Sequence, residues 1–201
     1  MKNVILIAAI LFVSITALSA QSARPVSEVK TGLATLYARD PLAQSLCFRD
    51  GGYGSIFQEN EVRNRCSDIN FNGYNADSFT VGVEGARQGV IIDLGTSDDL
   101  QKKYGYSDGV GKVQGFASLR LTNGKFYVLK DLRARTSQEL SEGGSLLQNP
   151  TSETQTAPVR LGHVYLMKLT DSYEKDFALV VKLVVVASVP NESVTFRWQV
   201  L

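Results

Sequence analysis

The sequence contains a single histidine, His163, and only two cysteines, Cys47 and Cys66. Serine and cysteine hydrolases need a base beside the nucleophile, and no Gly-x-Ser-x-Gly elbow accompanies this histidine. His163 shares one face of an expected strand with Tyr165 and Met167, where a packed or edge histidine is more common than a catalytic base. One histidine and two thiols also fall short of the four ligands of a structural zinc site. The sequence therefore disfavours both kinds of site.

Charge surplus and long apolar runs are also lacking. The 21 basic and 20 acidic side chains nearly balance, and Lys and Arg form no cluster along the sequence. Nucleic acids and anionic lipids attract clustered positive charge, so neither is expected as a partner. The apolar run 177–189 contains Lys182 and is shorter than the ~20 residues of a membrane-spanning helix. The run therefore predicts a buried strand.

The first twenty residues have the pattern of an export signal. Lys2 forms a short basic segment, residues 4–13 are apolar, and residues 17–20 are small where signal peptidase reads them. We expect cleavage before Gln21, no lipid anchor because position 21 is not Cys, and no other membrane anchor. The sequence thus predicts a signal peptide at 1–20 and one secreted or periplasmic domain at 21–201.

The two cysteines are expected to pair. They lack the C-x-x-C spacing of a redox-active site, and an exported protein meets an oxidising compartment. A disulfide between Cys47 and Cys66 would stabilise the fold by roughly 3 kcal/mol, mainly by restricting the unfolded chain. It would tie down the loop-rich N-terminal part at about residues 47–77, which is rich in Gly and Asn.

Strand patterns dominate the rest of the chain. Residues 177–186 place large apolar side chains on both faces, so this strand must lie inside a sheet that is covered on both sides. In residues 26–38 a short helix and an edge strand explain the pattern equally well. Further strands are expected at 78–84, 89–94, 115–121, 125–129, 162–169 and 193–200, with an Asn-Gly hairpin turn at 123–124.

One short helix is expected near Ser97–Tyr104. Ser97 can cap it, Asp98 and Asp99 suit its first turn, and Gly105 ends it. Residues 131–158 are rich in polar residues and read as a long surface connection, either mobile or part of a binding edge, with a helical turn near 137–142. The predicted fold class is all-β or mainly β, an antiparallel β-sandwich or open barrel with that one helix.

Residues 68–77 contain oxygen-bearing side chains at the first, third and fifth positions of a loop and Gly at the sixth. Over these six residues the chain resembles an EF-hand or dockerin-type loop, which implies calcium as a possible cofactor. The pattern then departs from that family, because Phe79 stands at the twelfth position where a bidentate Glu is required. A plain turn is the alternative explanation. The four candidate calcium ligands are Asp68, Asn70, Asn72 and Asp77.

Exposed aromatic side chains in loops can stack on sugar rings. The candidate ligand-binding residues are Tyr53, Phe57, Tyr74, Tyr104 and Tyr106. The sequence therefore predicts a secreted non-catalytic binding or structural β-domain of the cell envelope or extracellular space, with an extracellular ligand or protein as its partner. A carbohydrate-binding module is the more specific form of this prediction.

Two alternatives stay open at the sequence level. A small glycan-active hydrolase would use paired carboxylates, and the candidate acids are Glu84, Asp93, Asp98, Asp99 and Asp108. A protein-binding or inhibitory domain would present the 131–158 segment to its partner.

Overall fold

The computed structural model describes residues 31–49, 51–54, 67–73, 76–82, 87–105, 115–131 and 134–201. The expected signal peptide lies outside these ranges. No helix within them is long and apolar enough to span a membrane.

Thirteen strands and three short helices occur in the described residues. The strands are β1 (Thr31–Tyr37), β2 (Ser45–Leu46), β3 (Tyr53–Gly54), β4 (Ile69–Phe71), β5 (Ser78–Val81), β6 (Arg87–Thr96), β7 (Leu119–Thr122), β8 (Lys125–Asp131), β9 (Thr136–Glu139), β10 (Thr156–Pro158), β11 (His163–Asp171), β12 (Ala178–Val189) and β13 (Ser193–Val200). The helices are α1 (Ser97–Tyr104), α2 (Gly115–Ser118) and a 3-10 helix (Ser141–Leu147). The prediction of a mainly β-protein with a short helix at Ser97–Tyr104 is confirmed.

The strands form three antiparallel sheets. Sheet A has the order β1-β13-β12-β11-β6, sheet B the order β10-β5-β4-β2-β3, and sheet C the order β7-β8-β9. Strands β11, β12 and β13 follow one another along the chain and lie side by side in the middle of sheet A.

One face of sheet A packs against sheet B and forms the larger core. The Phe79 ring of β5 meets the rings of Tyr165 and Phe196 edge-on, each at 5.5 Å between centroids. Leu183 and Val185 of β12 join this core, fully or almost fully buried. Sheets A and B therefore make the sandwich that the strand pattern predicts.

The opposite face of sheet A packs against both α-helices, sheet C and the 3-10 helix. Leu166 of β11 is buried there with Leu100 of α1, Phe116 of α2, Val128 of β8 and Leu146 of the 3-10 helix. Both faces of the central strands are thus covered, as the apolar pattern of residues 177–186 requires.

The sequence left a short helix and an edge strand open for residues 26–38. Residues 31–37 form a strand. β1 is an edge strand that pairs with β13 over its whole length. Gly32 lies opposite Trp198, and a Cβ atom at this position would lie 2.8 Å from the indole ring. A larger residue would displace the indole, which explains why glycine interrupts the apolar pattern here.

Helix α1 has a different N-cap from the one expected. The Thr96 hydroxyl accepts a hydrogen bond from the Asp99 amide at 3.2 Å, and the Asp99 carboxylate accepts one from the Thr96 amide at 2.9 Å. This reciprocal pair is a capping box. Ser97 instead uses its hydroxyl to accept from the Gly115 amide at 3.2 Å. Gly105 ends the helix with φ 60°, as predicted.

Two strand assignments need correction. Residues 78–84 were expected to form a half-buried strand, but all four residues of β5 are buried because β5 lies between β10 and β4 in sheet B. Residues 115–121 begin as helix α2, which buries Phe116, and become a strand only at Leu119. The following turn at Asn123 and Gly124 has φ 50° and 74°, which confirms the predicted hairpin.

The segment 131–158 is structured where it is described, contrary to the expectation of a long surface connection. It adds β9 to sheet C, continues as the 3-10 helix and adds β10 to sheet B. Leu140, Leu146 and Ala157 anchor it because each is buried in one of the two cores. The polar composition reflects the exposed side chains between these anchors.

Replacing Trp198 by Ala should lower the free energy of unfolding by about 3–5 kcal/mol. The indole is 5% exposed and meets the Phe48 ring edge-on at 5.2 Å. Leu33→Ala is a suitable control, because Leu33 is 69% exposed on the neighbouring strand and should lose less than about 0.5 kcal/mol. Urea unfolding measures both values, and equal losses would contradict the packing described.

Candidate functional site

Asp68, the first candidate calcium ligand, belongs to a buried ionic cluster. Its Oδ2 accepts a hydrogen bond from the Phe48 amide at 2.8 Å, and its Oδ1 lies 3.9 Å from Arg87 Nε. Arg87 Nε also lies 3.5 Å from Asp171 Oδ2, and its guanidinium lies 3.5 Å from the Phe177 ring centre. Because Arg87 and Asp171 lie in sheet A and Asp68 precedes β4, this cluster joins the two sheets.

The other candidate calcium ligands brace turns. Asn70 donates a hydrogen bond from its side chain to the Gln44 carbonyl at 3.3 Å, and Asn72 accepts one from the Asp77 amide at 2.8 Å. The Asp77 carboxylate accepts one from the Asn191 amide at 3.1 Å. These contacts supply structural roles for the residues, while calcium binding itself stays a prediction.

Among the described residues, the candidate aromatic side chains do not form a shared surface on which a sugar could stack. Tyr53 is 54% exposed on β3, whereas Tyr104 is 2% exposed and has no free face for stacking. The Tyr104 hydroxyl instead donates to Glu142 at 2.6 Å and lies 3.0 Å from the Ser141 hydroxyl. Tyr104 is therefore a residue that joins α1 to the 3-10 helix. Phe57, Tyr74 and Tyr106 lie outside the described residues.

The same contact has an electrostatic consequence for Glu142. Burial opposes its ionisation, but hydrogen bonds from Lys103, Tyr104 and Ser141 outweigh burial and lower the pKa of Glu142 to about 2. The carboxylate is thus ionised at neutral pH, where it helps to hold α1 against the 3-10 helix.

Only half of the predicted disulfide can be located. Cys47 is fully buried directly after β2, and Cys66 lies outside the described residues. The pairing of Cys47 with Cys66 stays a prediction.

The structure pairs Asp93 with His163, two residues that the sequence offered separately. His163 Nδ1 lies 2.8 Å and 3.0 Å from the two Asp93 carboxylate oxygens, and Arg160 Nη1 lies 3.6 Å from Oδ2. A register shift between β6 and β11 places them side by side. Burial, followed by the Asp93 charge, raises the pKa of neighbouring Tyr165. This contact depends on strand register, which the sequence pattern does not reveal.

Two of the remaining candidate acids lie in the first turn of helix α1. Asp98 is exposed on α1, and Asp99 is used in the capping box, where hydrogen bonds from Thr96 lower its pKa. Glu84 and Asp108 lie outside the described residues. A hydrolase that uses paired carboxylates stays a prediction.

The sequence did not indicate a cationic pocket of about 410 Å³, which lies at the end of sheet A where β12 begins and β13 ends. We call it the Lys182 pocket. Its lining residues are Phe116 and Ala117 of α2, Arg120 of β7, Lys182 of β12, Arg197 and Gln199 of β13, and Leu201.

The fold explains how the three cations meet. Lys182 points to the face of sheet A that carries the helices, because its neighbours Val181 and Leu183 point to sheet B. Gln199 lies directly opposite Lys182 in the β12–β13 pairing, and Arg197 lies two pairs further along, on the same face. Helix α2 and the start of β7 close the pocket from above.

Two shared partners connect the cations. The Leu119 carbonyl accepts hydrogen bonds from Lys182 Nζ at 3.2 Å and from Arg120 Nη1 at 3.0 Å. The Phe116 ring lies 4.7 Å from Lys182 Nζ and 5.7 Å from the Arg197 guanidinium carbon. Arg120, Lys182 and Arg197 thus surround one small volume from three strands.

The charge of this group is uncompensated within the part of the chain that the structure describes. No described side-chain carboxylate lies within 4 Å of Arg120, Lys182 or Arg197. Lys182 is 1% exposed, whereas the two arginines are exposed at the rim. Burial, together with repulsion from the two arginines, lowers the pKa of Lys182 to about 7.

A larger hollow of about 640 Å³ lies at the other end of sheet A, beside Tyr37 and the β12–β13 turn. It carries both signs of charge, because Arg39, Asp40 and Glu192 all line it. It therefore lacks the one-sided electrostatic character of the Lys182 pocket.

The stability of the protein should rise with pH between about 7 and 10.5 because of Lys182. Its pKa is about 7 when folded and near 10.5 when exposed, so the unfolded chain binds the additional proton across this window. The destabilisation of the folded state by the buried charge is complete below pH 7 and absent above pH 10.5. Urea unfolding at several pH values should show this rise in the wild type and a smaller rise in Lys182→Met. Parallel pH profiles would contradict the burial of a titrating amine.

Comparison with known proteins leaves the geometry as the guide to function. The chain has no match among protein-family models, among curated proteins or among solved structures. The Lys182 pocket, where three like charges line one concave volume, is therefore the candidate functional site.

Proposed function

We propose that the protein is an exported, non-catalytic binding domain whose ligand carries an anionic group that binds in the Lys182 pocket. The observation that supports this proposal best is Lys182 itself, a cation that is 1% exposed and flanked by Arg120 and Arg197. Export rests on the signal-like pattern of residues 1–20.

A buried amine without a carboxylate partner is unfavourable for the fold, and so is the approach of two further cations. An anion that enters the pocket removes both penalties at once. An ammonium group has three N–H donors, and the Leu119 carbonyl accepts from Lys182. The pocket therefore offers the ligand charge-assisted hydrogen bonds from Lys182 in the interior and from the two arginines at the rim.

The rest of the lining indicates the size and character of the ligand. Phe116, Ala117 and Leu201 provide apolar surface, and Gln199 provides one amide. A concave site of this composition suits a small organic anion or one anionic group on a larger molecule. Nucleic acids need an extended basic surface, whereas the three cations here line a single pocket of about 410 Å³.

The carbohydrate-binding version of this function favours an acidic or esterified sugar. The anionic group would meet the cations, and the sugar ring would lie at the mouth of the pocket, because Phe116 is buried and offers little surface for stacking. The stacking platform that the sequence suggested has only Tyr53 as an exposed member among the described residues.

The two alternative functions have weaker support. A glycan hydrolase would use two of the five candidate acids, and Asp93, one of them, contacts His163 and accepts a hydrogen bond from the Gly95 amide at 2.8 Å. An inhibitory domain would need the 131–158 segment as a presented loop, and this segment contributes β9 and β10 to two sheets.

Thermal unfolding with increasing sodium sulfate tests the binding proposal. Sulfate that binds only the folded state should raise the melting temperature of the wild type by mass action. Sulfate also stabilises proteins generally through exclusion from their surface, so Lys125→Met serves as the matched control, since Lys125 is an exposed lysine on β8 that does not line the pocket and pairs with Glu139. Lys125→Met should respond like the wild type, and Lys182→Met should retain only the general effect. Identical responses of all three proteins would refute anion binding at the pocket.

A further inference from the structure

We propose that the anionic group bound in the Lys182 pocket is a tetrahedral oxyanion, a sulfate or phosphate monoester, in preference to a carboxylate. This inference rests on the proposed function and specifies its ligand class. It is carried by the number and placement of the donors, which come from three different strands around one volume.

The three cations cannot approach a ligand from a single direction. Arg120 and Lys182 share the Leu119 carbonyl as acceptor, whereas Lys182 and Arg197 share the Phe116 ring. Lys182 therefore stands between the two arginines, below them in the interior. A ligand that contacts all three must present acceptors on three sides.

A monoester meets this requirement because sulfate and phosphate groups have three terminal oxygens arranged around the central atom. A carboxylate has two oxygens in one plane, which suits one bidentate arginine and leaves another cation without an acceptor. The total charge points the same way, since a phosphate monoester carries about −1.5 to −2 at neutral pH. Three cations with no described side-chain carboxylate within 4 Å match that charge better than the single charge of a carboxylate.

The depth of the pocket orients such a ligand. Lys182 is buried on the sheet, and both arginines are exposed, so one terminal oxygen enters towards Lys182 Nζ and the other two face the rim. The bridging ester oxygen then points to the mouth of the pocket, where the rest of the molecule lies beside the partly exposed Ala117 and Leu201. Gln199, opposite Lys182 in the strand pairing, supplies an uncharged donor at the same level.

Protonation of Lys182 accompanies this binding. The groups that face Lys182 from neighbouring elements are Arg120 on β7 and Arg197 on β13, both cationic, with uncharged Phe116 on α2 and Leu166 on β11. The oxyanion favours the ammonium form, so affinity should fall as pH rises from 6 to 9. This fall is a readout that distinguishes contact with Lys182 from attraction to the rim arginines alone.

Titration calorimetry of the full protein with three matched hexoses tests the ligand class. Glucose 6-sulfate, glucose 6-phosphate and glucuronate differ in the group at one carbon, and we expect both esters to bind at least about tenfold more tightly than glucuronate. Arg120→Gln, Arg197→Gln and Lys182→Met should each weaken ester binding by about tenfold, as expected for the loss of one charge-assisted hydrogen bond. The ratio between sulfate and phosphate esters identifies which of the two sources the pocket prefers.

Lys182→Arg supplies the pH control, because an arginine stays charged. Glucose 6-sulfate does not titrate in this range, so its affinity should fall between pH 6 and 9 for the wild type and stay constant for Lys182→Arg. Circular dichroism confirms that each variant is folded, and the exposed rim variants keep the test valid if a change at Lys182 disturbs the core.

The outcomes separate the ligand class from the proposed function. Glucuronate binding as tight as ester binding, lost in Lys182→Met, would overturn the oxyanion and leave the anion-binding function intact. Absence of binding by all three hexoses, together with no Lys182-dependent effect of sulfate on the melting temperature, would overturn both. Ester binding that is unaffected by all three pocket variants would also overturn the inference.

Discussion

The requirement to cover both faces of sheet A governs the rest of this structure. Its central strand, β12, presents large apolar side chains alternately to each side, and neither side can face water without losing hydrophobic free energy. Sheet B covers one face, and the helices with sheet C cover the other. The segment 131–158 takes part in both covers, which explains why a polar stretch is folded into strands and a 3-10 helix.

The helices and sheet C cover a face of sheet A that is not entirely apolar. Lys182 interrupts the alternation of β12, and helix α2 brings Phe116 and the Leu119 carbonyl over its amine. Burial of a cation beside two arginines destabilises the folded chain. Such local conflict with the rules of a stable core is typical of functional sites, and this is the physical basis for placing function at the Lys182 pocket.

Features that depend on interactions close in sequence could be predicted, and features that depend on distant contacts could not. Strands β11 to β13, the Asn123-Gly124 hairpin and the body of α1 depend on local alternation, turn residues and caps, so the sequence predicts them. The Asp93–His163 pair, the burial of Tyr104 and the convergence of Arg120 with Lys182 depend on register and on contacts distant in sequence. Lys182 is visible in the sequence only as one charge in an apolar run, and nothing there places Arg120 above it.

The central claim is that three cations form a binding site for one anionic group. Its most direct test is an anomalous difference map from crystals soaked in sodium selenate, which identifies the bound oxyanion by its selenium atom. The account predicts a selenium peak within contact distance of Lys182 Nζ and of the Arg120 and Arg197 guanidinium groups. An empty Lys182 pocket in a crystal that is freely accessible to selenate would contradict it.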